Sequence, residues 1–179
     1  LITAHFLQAD TVVTPVSSNS SVYHCNAFEQ VITTRIGSPF VIAGMQAAAG
    51  RVVGYEPNGG FLLGYTAQGP SGPLPSLMTR DALLPMLSMM TVAGKDRISA
   101  VVAGHQHCVT VSDRLQRIDV DRSYALLEGL AQDITRRQQF LRDLDLQLCA
   151  VDLTDGVRLR LQDQQTLHLR LSGNAPELR

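Results

Sequence analysis

Arg170, Ser172, Gly173 and Asn174 close an alternating run, Leu167-His-Leu-Arg-Leu171, and their chemistry suits an anion. The alternation predicts a strand, and the strand stops at Ser-Gly-Asn. Gly173 lets the backbone come close, Ser172 and Asn174 offer donors, and the Arg170 guanidinium can present two N–H groups to a phosphate. The same triplet also makes an ordinary turn, so local chemistry leaves both readings open. A second polar, glycine-rich segment lies upstream, Gly54-Tyr-Glu-Pro-Asn-Gly-Gly60. Its plain reading is a hairpin tip with an Asn-Gly turn, in which Gly59 and Gly60 supply positive φ. Glu56 and Asn58 at such a tip can equally hold adjacent sugar hydroxyls. A carboxylate accepts from two O–H groups, and an amide both donates and accepts.

Other candidates are plainer. Arg35 is a lone basic residue, at home on a surface. His105-Gln-His107-Cys108 offers metal ligands at close spacing, yet no partner cluster stands elsewhere, and it reads as a linker with incidental histidines. Asp119-Val-Asp121-Arg122 reads as a helix start capped by Asp121, not as a metal site.

The elements that must carry these residues fall into two groups. Residues 1–110 hold ten charged side chains, five of each sign, whereas 111–179 hold twenty-one, ten basic and eleven acidic. That shift predicts two units, joined near Cys108–Arg114. In 1–110, strands are expected at Thr11–Val16, Arg51–Tyr55 and Phe61–Gly64. Helices are expected at Val22–Val31, at Pro39–Ala49 (apolar on most sides, therefore buried), and from about Arg80 behind a Thr79 cap, with Pro85 in or near its first turns. Gly69–Pro75 reads as a loop. Strands alternating with helices argue for an α/β layer with a mixed sheet. In 111–179, a helix over Asp121–Leu141 precedes strands at Leu148–Leu153, Val157–Leu161 and Leu167–Leu171, turning at Thr154–Gly156 and Gln162–Gln165. This is a smaller α+β unit with an antiparallel sheet.

Composition bounds the partners. The chain has 179 residues, is 45% hydrophobic and carries a net charge of −1, which gives no reason to expect nucleic acid or an anionic membrane. No apolar run reaches the roughly 18 residues needed to span a membrane, and the first residues lack the basic start of a signal peptide. Three widely spaced cysteines, Cys25, Cys108 and Cys149, show neither a disulfide framework nor zinc spacing, and point to a reducing cytoplasm.

Taken together and in order, several segments resemble the α-D-phosphohexomutase family of phosphomannomutases and phosphoglucomutases. Gly54–Gly60 is similar to the Gly-x-Glu-x-Ser-Gly-Gly/His loop of the family's third domain, and Arg170–Pro176 to the Arg-x-Ser-Gly-Thr-Glu-Pro loop of its fourth. Thr11–Asn19, Thr34-Arg-Ile-Gly37 and Asp155-Gly-Val157 fit further segments in the same order, and Arg179 matches a common family arginine. Asn58, Asn174 and Ala175 depart from the family's serine, threonine and glutamate, which leaves the sugar preference open.

The resemblance implies a chain holding the later part of domain III (1–110) and most of domain IV (111–179), truncated at its end. Glu56, Asn58 and Gly59 would bind sugar hydroxyls, Arg35 the substrate phosphate or the transferring charge, and Arg170, Ser172, Gly173 and Asn174 the phosphate that is not transferred. A hinge near 108–114 would let that loop close over the ligand. The family interconverts hexose 6-phosphate and hexose 1-phosphate through a phosphoserine and a hexose 1,6-bisphosphate, with Mg²⁺. Its serine loop and aspartate-rich magnesium loop are expected upstream of Leu1, so no catalytic or metal residue is expected in this chain. The small-molecule partner would be a sugar phosphate. A non-catalytic phosphosugar-binding protein or decayed homologue is the alternative.

Overall fold

The computed structural model describes residues 1–105 and 108–179, which form two compact units, Leu1–Thr110 and Val111–Arg179. His107 of the His-Gln-His-Cys segment lies outside the described residues.

The first unit is built on one sheet. Strands β1 (Thr11–Pro15), β2 (Gln30–Thr34) and β3 (Val52–Tyr55) run parallel, β4 (Phe61–Leu63) pairs antiparallel with β3, and β7 (Leu77–Asp81) pairs antiparallel with β4. The five lie in the order β2-β1-β3-β4-β7. Every residue of β1 is buried. That is the pattern of a central parallel strand covered on both faces, and it explains the unbroken β-branched run. On one face Val12, Val53, Phe61 and Leu63 pack with Ala4 and Leu7 of α1 (Ile2–Phe6) and its C-terminal cap, and with Val22 of α2 (Ser21–His24). On the other, Val13, Val52 and Leu62 pack with Val41 and Met45 of α3 (Ser38–Ala47). Each such fully buried Val or Leu contributes about 1.5–3 kcal/mol.

Gly54 permits this contact. A Cβ there would lie 2.5 Å from Met45 Sδ and 2.7 Å from Val41 Cγ1. The first glycine of Gly54–Gly60 is therefore a packing residue that lets α3 settle on β3.

Several expectations need correction. The helix expected at Val22–Val31 is a single turn, α2, which ends before Asn26 takes φ 47°, and Gln30–Thr34 joins the sheet as β2. Gly69–Pro75 is not only loop: β5 (Ala67–Gly69) and β6 (Gly72–Leu74) pair as a small hairpin. Thr79 and Arg80 open no helix, because Leu77–Asp81 is the edge strand β7 against β4. Helix α4 starts at Leu83 and runs to Ala93, with the Leu83 N–H donating to Asp81 Oδ1 at 2.7 Å, and α5 (Ile98–Ala103) follows. Helix α3 is buried only at Val41 and Met45, and Phe40 is exposed.

The second unit packs two helices, α6 (Val120–Gln132) and α7 (Ile134–Arg142), on an antiparallel sheet. Its strands are β9 (Leu148–Asp152), β10 (Val157–Leu161) and β11 (Thr166–Leu169), with β10 in the centre. Leu127, Leu130, Leu141, Val157, Leu159 and Leu161 make its core. The single helix expected over Asp121–Leu141 is two. Asp133 leaves helical geometry (φ −100°, ψ 109°) and accepts from the Thr135 and Arg136 N–H groups, so it caps a new helix. Asp119 rather than Asp121 caps α6, accepting from the Arg122 N–H at 3.1 Å. A two-stranded ribbon pairs β8 (Leu115–Gln116) with β12 (Glu177–Leu178).

The Gly54→Ala substitution is expected to lower stability by about 1–3 kcal/mol, because Val41 cannot yield without moving α3. Thermal unfolding followed by circular dichroism checks this; an unchanged midpoint would mean that α3 and β3 are not in close contact.

Candidate functional site

In an open parallel sheet, ligands collect at the carboxyl ends of the strands. Here that edge carries Ser17–Asn19 after β1, Arg35 after β2 and Glu56 after β3. Thr14 links two of these ends: its hydroxyl lies 2.6 Å from Ser18 Oγ and donates to the Tyr55 carbonyl at 3.0 Å.

Glu56 begins a tight tip. The Gly59 N–H donates to the Glu56 carbonyl at 3.0 Å and the Glu56 N–H to the Gly60 carbonyl at 2.9 Å. Pro57 and Asn58 form the turn, and Gly59 takes φ +88°, the left-handed residue that closes such a three-residue hairpin. Gly60 does not share the positive φ expected of it. Asn58 is exposed, and its Oδ1 accepts from the Gly60 N–H at 3.0 Å. Among the described residues its Nδ2 has no partner.

The Glu56 side chain is 7% exposed. Ser38, at the start of α3, donates to Glu56 Oε2 at 2.8 Å, and Arg80 Nε stands 4.0 Å from the same oxygen. No fully enclosed side-chain polar atom lacks a partner among the described residues, so Oε1, which accepts nothing from them, is not completely enclosed. One carboxylate oxygen is thus fixed and the other is available to a hydroxyl donor. Ser38 and Arg80 went unrecognised in the sequence. Arg80 reaches the tip from the edge strand, its stem close enough that a Cβ on Gly60 would touch Cγ and Cδ at 3.0 Å.

Arg35 lies on the same sheet edge as Glu56 without touching it. Its guanidinium sits over the Phe40 ring, 4.8 Å from the centroid, and the residue is exposed.

In the second unit the Arg170–Asn174 segment is the open end of a ribbon. The Arg170 N–H donates to the Arg179 carbonyl at 2.7 Å, the Arg179 N–H returns to the Arg170 carbonyl at 2.8 Å, and the Ser172 N–H donates to the Glu177 carbonyl at 2.9 Å. Within the loop the Asn174 N–H points to Ser172 Oγ at 3.4 Å. Gly173 is exposed with space around it, and among the described residues its N–H and the Arg170 guanidinium have no hydrogen-bond partner. Gly156 fixes where this strand runs: at φ +74° a Cβ would strike the Leu169 carbonyl and lie 2.6 Å from Arg170 Cβ. Asp155-Gly-Val157 therefore sets the position of Arg170. Glu177 is 7% exposed, and the Arg179 guanidinium, followed by the Gln116 amide, holds its carboxyl below the ordinary carboxylate range.

A cavity of about 600 Å³ lies along α7, lined by Arg137, Leu141, Arg142, Leu146 and their neighbours, none of which belongs to either loop. Among the described residues no group of three or more His, Cys, Asp or Glu could hold a metal ion. No helix among them is long and apolar enough to cross a membrane.

The Ser38→Ala substitution is expected to cost about 1–2 kcal/mol, because it removes the hydrogen bond to a buried carboxylate. Urea unfolding checks it; an unchanged midpoint would show that Glu56 Oε2 is solvated rather than held.

The family model for phosphoglucomutase/phosphomannomutase, alpha/beta/alpha domain III, matches residues 1–107. A phosphomannomutase of Sinorhizobium fredii (strain NBRC 101917 / NGR234) is 38% identical over 185 residues, spanning 100% of this chain and 39% of that protein. A phosphomannomutase of Salmonella muenchen is 41% identical over 180 residues, spanning 97% of this chain and 37% of that protein. The crystal structure of a protein assigned as a phosphomannomutase from Thermus thermophilus superposes with a TM-score of 0.57 at 17% identity, over 99% of this chain and 35% of the other, a likeness of fold. The chain thus spans about two fifths of the length of the curated relatives it matches. The matched domain model, together with the mixed sheet and its covering helices, shows that this chain belongs to the phosphoglucomutase/phosphomannomutase family.

Proposed function

We propose that the chain is the sugar- and phosphate-recognition part of a phosphohexomutase of the phosphomannomutase type, which interconverts hexose 6-phosphate and hexose 1-phosphate in the cytoplasm. The observation that carries this reading is the half-committed Glu56 carboxylate. It is buried, fixed at Oε2 by Ser38, and open at Oε1. Asn58 adds an uncommitted amide N–H₂ at the same tip. Such a pair suits adjacent sugar hydroxyls better than it suits a purely structural turn.

Arg170, Ser172, Gly173 and Asn174 take the phosphate that is not being transferred. The charge of Arg170 and the free N–H of Gly173 supply donors to its oxygens. Arg35 stabilises charge on a phosphate at the sheet edge. In a reaction through a bisphosphate, the sugar is held in two poses. Glu56 then accepts from, and Asn58 donates to, equivalent hydroxyls in either one. A divalent cation such as Mg²⁺ neutralises charge on the phosphoryl group in transfers of this kind. Asp119 accepts from the Arg122 N–H as a helix cap. The residues named here bind, orient and neutralise charge.

This division of labour has a direct test by calorimetry with mannose 1-phosphate and glucose 1-phosphate. Arg170→Ala is expected to weaken both ligands by roughly tenfold or more, the scale of a lost charge-assisted pair. Glu56→Ala is expected to change the ratio between the two sugars. If both variants lowered the two affinities equally, separate sugar and phosphate roles would be wrong.

A further inference from the structure

The ribbon that carries the phosphate loop has two faces. Arg170 pairs with Arg179 and Ser172 with Glu177, while Leu171 bridges Leu178 between them. Side chains alternate along a strand. Leu171 and Leu178 pack against the core of the unit, so Arg170, Ser172, Glu177 and Arg179 share the opposite face. Two arginines directly across an antiparallel pair repel. The arrangement needs a counter-charge, and Glu177 supplies it.

Glu177 is not an ordinary surface partner. It is 7% exposed, and both of its oxygens are engaged. Arg179 donates Nε and Nη2 to Oε2 at 3.2 and 2.9 Å. Gln116 Nε2 donates to Oε1 at 3.2 Å, and Arg114 Nη1 lies 3.5 Å from the same oxygen. The Arg179 fork is thereby fixed along one edge, with Nη1 left over, whereas the Arg170 fork is entirely uncommitted among the described residues. An immobilised guanidinium loses less freedom when it meets an anion than a mobile one does.

We infer that Glu177 is a positioning residue for the phosphate loop: it holds Arg179 opposite Arg170 so that the two guanidiniums meet one phosphate dianion together. The inference rests on the assignment of Arg170–Asn174 as the phosphate site. The Glu177 carboxyl, held below the ordinary range by the Arg179 guanidinium, stays ionised in the role. Charge alone makes the opposite prediction. Removing a carboxylate near an anion site should tighten anion binding through the lost repulsion. Positioning requires that it weaken binding, so the sign of one measurement separates the two.

The test is titration of the full 179-residue chain with inorganic phosphate at fixed ionic strength. Glu177→Gln, which keeps the shape and loses the charge, is expected to weaken binding by roughly tenfold, as is Arg179→Ala, and the double variant is expected to be no weaker than Arg179→Ala alone, because coupled residues do not add. Unchanged or tighter binding by Glu177→Gln, or losses that add in the double variant, would overturn the role. A measurement on the unmodified chain covers the case in which Glu177→Gln does not fold. The Arg179 Nε–H resonance is expected to be protected from exchange and to shift with Arg170 on phosphate addition, and an unprotected, unshifted Arg179 overturns the inference. If phosphate perturbs neither Arg170 nor Ser172–Asn174 in the unmodified chain, the phosphate site itself is wrong and this role falls with it. If Arg170→Ala abolishes binding while Glu177→Gln leaves it intact, only the role of Glu177 is lost.

Discussion

Taking a carboxylate out of water costs several kcal/mol unless polar partners meet it, and the buried Glu56 imposes that constraint on the first unit. The Ser38 hydroxyl is the main partner, at the first turn of α3, so α3 has to begin beside the end of β3. The helix can do so only if it lies close on the sheet, and Gly54 removes the side chain that would hold it off. The β2–α3–β3 crossover, the glycine and the serine are thus parts of one requirement. Its consequence for chemistry is a carboxylate with one oxygen fixed and one free, at the sheet edge where α/β folds bind ligands.

The loop-bearing ribbon of the second unit meets the reverse problem, a local cluster of positive charge. Arg170 and Arg179 face each other on one ribbon, and Arg114 approaches the same carboxylate from another segment. Glu177 offsets part of that charge and leaves Arg170 unmatched. Among the described residues the Arg170 guanidinium and the Gly173 N–H have no partner, which is why an anion is proposed there. Both units therefore combine one fully held polar group with one left available, an arrangement that preorganises without saturating.

Much of this was legible in the sequence because the decisive signals are local. Thr11–Val16, Arg51–Tyr55 and the three strands after Leu148 read correctly, since β-branched runs and strict alternation record burial on two faces or one. Gly59 and Asn58 were readable as a turn from their own conformational preferences. The misreadings have a common cause, pairing between distant segments. Nothing near Arg80 announces that it lies on an edge strand beside Glu56, because that pairing belongs to β4. Gln30–Thr34 is a strand because β1 lies beside it, while its neighbours on the N-terminal side carry spacing that suits a helix. The break at Asp133 was available locally, as a capping aspartate inside a long amphipathic run, but Leu127, Leu130 and Leu141 share one helical period and concealed it. For Glu177 only the Arg179 partner, two residues on, was local; Arg114 and Gln116 reach it from the far end of the unit.

The most direct test of the central claim is a nitrogen–proton NMR titration of this chain with mannose 1-phosphate, set against inorganic phosphate. The account predicts that inorganic phosphate shifts Arg170–Asn174 and the facing Arg179 but not Glu56–Gly60, and that the sugar phosphate shifts Glu56–Gly60 in addition. Sugar phosphate and phosphate giving the same perturbations, with Glu56–Gly60 silent in both, would contradict a sugar-recognition role for the half-committed carboxylate.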